Sequence, residues 1–211
     1  MESTETMDAL EVEAPAKSPQ AGAGTPLRSA SRTKSGASER TRTVAFVGLT
    51  IALMAVSAWV VVPLGPVPFT LQMFAITFAI VVLPPKAAVA AIAGYLLLGT
   101  VGVPVFSGMR GGVGVLAGPT GGFLWGYALG VPAAALFLHL LGKRRNVVTD
   151  VAAGIIFTAV AYVCGCVQYM VVGQVDLLAA FMVSCAPFIV VDLCKIVAAV
   201  VCARAVKRVV G

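Results

Sequence analysis

Charge is what this sequence has least of. Of its 211 residues only 11% are Asp, Glu, Lys or Arg, 59% are hydrophobic, and the mean hydropathy is +0.98. Soluble domains carry roughly 25% charged and about 45–50% apolar residues. The shortage excludes an ordinary soluble globule. It also excludes a nucleic-acid binder, whose affinity comes from many exposed Lys and Arg on phosphate. There is one histidine, and the five cysteines (Cys164, Cys166, Cys185, Cys194, Cys202) form neither CxxC pairs nor a zinc-like cluster. No metal or cofactor site is expected, and the cysteines read as small buried hydrophobes. No Gly-Lys-Ser/Thr follows the glycine-rich stretch, so there is no P-loop. The apolar run of a cleaved signal peptide is also missing near the start.

What charge there is lies unevenly. Residues 1–43 hold six acids and six bases, while the rest holds three acids (Asp150, Asp176, Asp192) and nine bases. Rich in Ser, Thr, Ala and Gly and without apolar periodicity, residues 1–43 are expected to be a disordered tail. Residues 44–211 are expected to be a membrane domain. A helix needs about 20 apolar residues to cross a ~30 Å hydrocarbon layer. Candidate spans are 44–62, 69–83, 87–100, 123–141, 147–172 and 187–206, with a short surface helix at 177–186. The expected fold is therefore an all-α integral membrane protein, a bundle of six transmembrane helices.

Bases fall on alternate connections. Arg40 and Arg42 precede the first span, Lys86 follows the second, Lys143, Arg144 and Arg145 follow the fourth, and Arg204, Lys207 and Arg208 close the last. The positive-inside rule then puts both termini in the cytoplasm. Arg110 is the exception, on the outer side. Residues 63–72 and 102–122, rich in Gly and Pro, are expected to roof an outward-facing pocket, since irregular backbone at membrane depth must line a cavity or be buried in protein.

Asp192 and Lys195 are the strongest chemical signal. Three residues apart on a helix, they share a face within PFIVVDLCKIVAAVV. Intramembrane ionisable residues cost on the order of 2.5–3.5 kcal/mol each. Two readings stand: a mutual ion pair that tolerates burial, or a polar contact to a ligand. Arg110, among glycines in SGMRGGVGVLAGPTGG, is either a solvated loop arginine or a bidentate clamp for a carboxylate. Val105 occupies the glycine position of an intramembrane protease nucleophile motif, and lone His139 reads as structural. Asp150 suits the N-terminus of the fifth span. Gly48 and Ala52 form a small-xxx-small pair on the first span, fitted either to packing inside the bundle or to docking a partner.

Three stretches, PVPFTLQ at 66–72, GVPVFSGMRGGVGVLAGPTGG at 102–122 and PFIVVDLCK at 187–195, resemble in order and spacing the BioY family of biotin-specific substrate-binding (S) components of energy-coupling factor transporters. The resemblance covers about residues 44–207 and leaves out the tail. It implies a cell-membrane protein that is not an enzyme, with an outward-facing biotin pocket. Its partners would be a transmembrane coupling subunit and ATPase subunits. It also implies ligand-contact roles for Asp192, Lys195, Arg110 and Gln72. Tyr95 and Thr120 are added as wall residues from their place beside the expected pocket. The competing expectations are an S component for another small vitamin, an intramembrane enzyme without a credible nucleophile, and a membrane scaffold.

Overall fold

The computed structural model describes residues 29–63 and 67–210, so Gly65, Pro66 and most of the expected tail lie outside the described residues. Residues 29–37 are helical; all packing described here belongs to the unit that runs from Ser38 onward. Among the described residues, eight α-helices carry the fold: α1 (Ser29–Trp59), α2 (Gln72–Val82), α3 (Pro85–Val101), α4 (Val113–Ala117), α5 (Gly121–Leu141), α6 (Val147–Gly173), α7 (Leu177–Ser184) and α8 (Ile189–Val210). The helix of the expected first span thus begins at Ser29, well before residue 44.

The all-α expectation holds apart from a small ribbon. Strands β1 (Val61–Val62) and β2 (Phe69–Thr70) pair antiparallel, Val61 with Thr70 and Val62 with Phe69. The expected second span at 69–83 is shortened accordingly. Its first residues satisfy their backbone groups against β1, and the helix starts only at Gln72. Four helical stretches are long and apolar enough to cross a bilayer: Arg40–Trp59, Gly121–Leu141, Val147–Gly173 and Leu177–Val209. At a 1.5 Å rise per residue, α2 and α3 extend only about 17 and 25 Å.

The core is set by close helix approach. α5 and α6 form the most extensive pairing, and α2 lies along α8. A stripe of glycines on α5 makes the first contact possible. A Cβ on Gly126 would sit 2.5 Å from Ala161 Cα, one on Gly130 would sit 2.9 Å from Phe157 O, and one on Gly122 would strike Cys164 O. Without a hydrophobic drive between helices in lipid, such backbone proximity is what holds them. The face of α1 carrying Gly48 and Ala52 behaves differently. Both residues are exposed, and a Cβ on Gly48 would meet nothing within 4 Å.

Capping fixes where α6 begins. Asn146 Oδ1 accepts from Thr149 N at 2.9 Å, and Thr149 Oγ1 accepts from Asn146 N at 2.8 Å. This reciprocal pair satisfies two donors that a helix start leaves unmet. Asp150 then falls in the first turn, as expected. Two cysteines depart from expectation: Cys166 and Cys185 are buried, but Cys194 and Cys202 are exposed on the outer side of α8. An outward face of a lipid-facing helix is as apolar as its core, so composition did not distinguish the two.

Candidate ligand-binding cleft

The C-terminal end of α1 gathers the irregular segments. Leu71 N donates to Ser57 O at 3.1 Å, Gly108 N to Ala58 O at 3.4 Å, and Trp59 Nε1 to Pro104 O at 2.8 Å. The 102–112 segment folds back on itself, with Phe106 and Arg110 exchanging backbone hydrogen bonds across a turn. Gly108 at φ 70° and Met109 at φ 58° make that reversal, and glycine meets such a φ without steric cost. Gln168 of α6 holds the far side, donating from Nε2 to the carbonyls of Leu116 and Gly118, both at 2.7 Å.

Between these segments and helices α2, α5, α6 and α8 lies a cleft with an empty volume of about 640 Å³, its open mouth included. Asp192, Lys195, Arg110, Gln72 and Thr120 all line it. Tyr95 does not. It is fully buried one layer behind, where its hydroxyl accepts from Gln72 Nε2 at 2.6 Å and donates to Val105 O at 2.8 Å. The expectation that Tyr95 is a wall residue is therefore corrected. Its hydroxyl, which sequence position could not orient, braces Gln72 against the 102–112 segment.

The charged pair is tightly engaged. Asp192 is 4% exposed and Lys195 8%. Lys195 Nζ donates to Asp192 Oδ1 at 2.8 Å and to Thr70 O at 2.7 Å, and it lies 3.5 Å from the centroid of the Phe69 ring. Phe69 in turn stacks on Phe188 at 6.2 Å. Tyr162 Oη donates to the second oxygen, Asp192 Oδ2, at 2.6 Å. An ionised carboxylate has about four lone-pair sites, so two remain to accept from a ligand.

The sequence reading missed four contributors: Tyr162, the Thr70 carbonyl, the Phe69 face and Ser107. Among the described residues, the buried hydroxyl of Ser107 has no hydrogen-bond partner, although the residue lines the cleft. No sequence signal identified Tyr162, because its partner lies 30 residues away on another helix. Arg110 sits exposed on the cleft, its Nε donating to Ser107 O at 3.2 Å, and no salt bridge among the described residues engages it.

The BioY family model matches residues 28–211. This chain belongs to the BioY family. It is 39% identical over 161 residues to the biotin transporter BioY of Thermotoga maritima, covering 76% of this chain and 93% of that one. It is 35% identical over 166 residues to the probable biotin transporter BioY of Pyrococcus horikoshii, covering 78% and 96%. Among solved structures, the S-component for biotin from an ECF-type ABC transporter superposes with a TM-score of 0.76 at 22% identity, covering 81% of this chain and 93% of that one. At that identity the likeness establishes the fold. The cleft thus belongs to a family whose similar members are named as transporters, not enzymes.

Proposed function

We propose that this chain is the biotin-binding S component of an energy-coupling factor transporter, taking biotin into the cleft around Asp192. The observation that carries the reading is the Asp192 carboxylate, buried at the cleft and oriented on both oxygens by Lys195 and Tyr162. Biotin offers two ureido N–H donors, one on either flank of a carbonyl, with an apolar bicycle and a carboxylate tail. An acceptor site left on Asp192 suits one of these N–H groups. Phe69, Phe123 and Phe188 supply apolar wall, and Gln72 and Thr120 supply polar wall. Arg110, a cation at the mouth, suits the tail carboxylate.

The fuller reading is a cell-membrane protein crossing the bilayer six times, with α2 and α3 as short crossings and both termini in the cytoplasm. The alternating bases support it. The sequence carries no P-loop, which supports an energy source for concentrative uptake outside this chain. A transmembrane coupling subunit with ATPase subunits would provide it, and the exposed Gly48–Ala52 face of α1 is its docking surface. No cofactor has a role in this scheme.

Equilibrium binding of labelled biotin to the purified chain, competed by a panel of other small vitamins, tests the assignment. Saturable biotin binding that the other vitamins leave intact is expected. Preferential binding of a different vitamin would make the protein an S component of another specificity.

A further inference from the structure

A second polar cleft opens on the same helices at the opposite end from the first. α8 places Asp192 in the ligand cleft and Arg204 here, about 18 Å further along at a 1.5 Å rise per residue. Arg145, Asp150, Arg204, Lys207 and Arg208 line the second cleft, whose empty volume is about 590 Å³ with its open mouth included.

Its carboxylate is fully spent. Asp150 Oδ1 accepts from Arg145 Nε at 3.1 Å and Nη2 at 2.8 Å, while Oδ2 accepts from Arg204 Nε at 2.9 Å and lies 2.8 Å from Arg204 Nη2. Arg145 Nη2 also reaches Val81 O of α2 at 3.2 Å. The Asp150 side chain is 3% exposed, against 23% for Arg145 and 29% for Arg204. Holding the helices together needs one cation for one carboxylate. Among the described residues, four cations face one acid here, which leaves three positive charges without a counter-charge in the cleft. Each guanidinium has five N–H donors, and the contacts to Asp150 and Val81 leave some unused on both arginines.

The surroundings indicate what brings the missing negative charge. Exposed apolar side chains lie close in sequence to the lining residues on the same helices: Val201, Val206 and Val209 on α8, and Val147 and Val148 on α6. A cationic recess beside exposed valines suits an amphiphile with an anionic head, and basic pockets between membrane helices hold such headgroups.

We propose that the cleft formed by Arg145, Arg204, Lys207 and Arg208 binds the phosphate group of an anionic phospholipid, whose acyl chains lie over the neighbouring valines. This site does not depend on the identity of the ligand in the first cleft. Asp150 positions two of the arginines, and Lys207 and Arg208 complete the charge without joining the ion pairs to Asp150.

The test compares retention of phosphatidylglycerol and phosphatidylcholine by the full chain, using native mass spectrometry from detergent. It includes the double variant Lys207→Gln/Arg208→Gln, whose exposed side chains can change without unpairing Asp150. Biotin binding in the same samples reports that the fold is intact. Each cation beside an anionic headgroup is worth about fivefold in affinity, so the double variant should lose roughly 25-fold in phosphatidylglycerol retention. Equal retention of both lipids by the unmodified chain, or a preference that the double variant keeps, would overturn the proposal. Full occupancy by millimolar inorganic phosphate, with no added gain from phosphatidylglycerol, would overturn it too, assigning the site to free phosphate.

Discussion

Tyr162 on α6 donates its hydroxyl hydrogen to Asp192 on α8 across 2.6 Å, fixing one oxygen of a carboxylate whose other oxygen is held by Lys195. This contact turns a buried ion pair into an oriented acceptor. Tyr162→Phe keeps the ring and removes the hydroxyl. A hydrogen bond to a charged group is worth about 1.5–3 kcal/mol. Because Tyr162 orients the carboxylate and leaves the ion pair standing, the expected loss of biotin affinity is at the low end, about tenfold. Isothermal titration on the two proteins measures it. Unchanged affinity would reduce Tyr162 to packing.

How much of this was legible beforehand depended on the range of each interaction. Asp192 and Lys195 lie one helical turn apart, so their shared face followed from spacing alone, and the structure joins them in an ion pair. Arg110 and Gln72 were found through motif stretches and Thr120 from its place beside the expected pocket, and all three line the cleft. Tyr162 and the Thr70 carbonyl were not found, since their partners lie 30 and 125 residues away and no local pattern encodes them. Tyr95 was assigned to the right neighbourhood and the wrong layer. Helix packing was legible only in part. The small residues on α1 stood out by spacing, with packing and docking both open, whereas the backbone approach of α5 to α6 is made by Gly122, Gly126 and Gly130. Periodicity shows that a face is small, and the tertiary fold decides which small face is covered.

Arg110 should distinguish the tail of the ligand. It is exposed on the cleft and, among the described residues, its side chain hydrogen-bonds to Ser107 O through Nε, so a carboxylate can reach the guanidinium at little cost. Arg110→Ala should weaken biotin by about tenfold or more while weakening a biotin amide far less, because only the carboxylate forms a charge-assisted pair. Competition binding with both ligands gives the comparison. Equal losses would remove Arg110 from carboxylate recognition.

Ser107 carries a buried hydroxyl without a partner among the described residues. Such a group costs about 1–3 kcal/mol when left unmet, and a ligand acceptor or donor at the cleft would relieve that cost. Ser107→Ala should therefore raise the thermal stability of the empty protein and narrow the gain in melting temperature on adding biotin. A melting-temperature gain equal to that of the unmodified chain would place the hydroxyl outside the ligand contact.

The two glycine faces make opposite predictions. Gly48 faces open space, so Gly48→Leu should leave folding and biotin binding intact while blocking assembly with a coupling subunit. Gly126→Leu would force a side chain into Ala161 of α6, and overpacking of this kind costs typically 1–3 kcal/mol or more, so that variant should lose stability and binding together. Co-purification with the coupling module, read beside biotin binding, separates the two. Assembly that survives Gly48→Leu would move the docking surface elsewhere.

The central claim is that Asp192 receives a ureido N–H group of biotin, and equilibrium binding of labelled biotin to the unmodified chain and to Asp192→Asn tests it most directly. Asparagine keeps the shape, replaces one acceptor oxygen with a donor and leaves Lys195 buried without its counter-charge. The account predicts tight binding by the unmodified chain and a loss of roughly 10–150-fold or more in a folded Asp192→Asn protein. Undiminished biotin binding by that variant would contradict it and leave the Asp192–Lys195 pair a structural one.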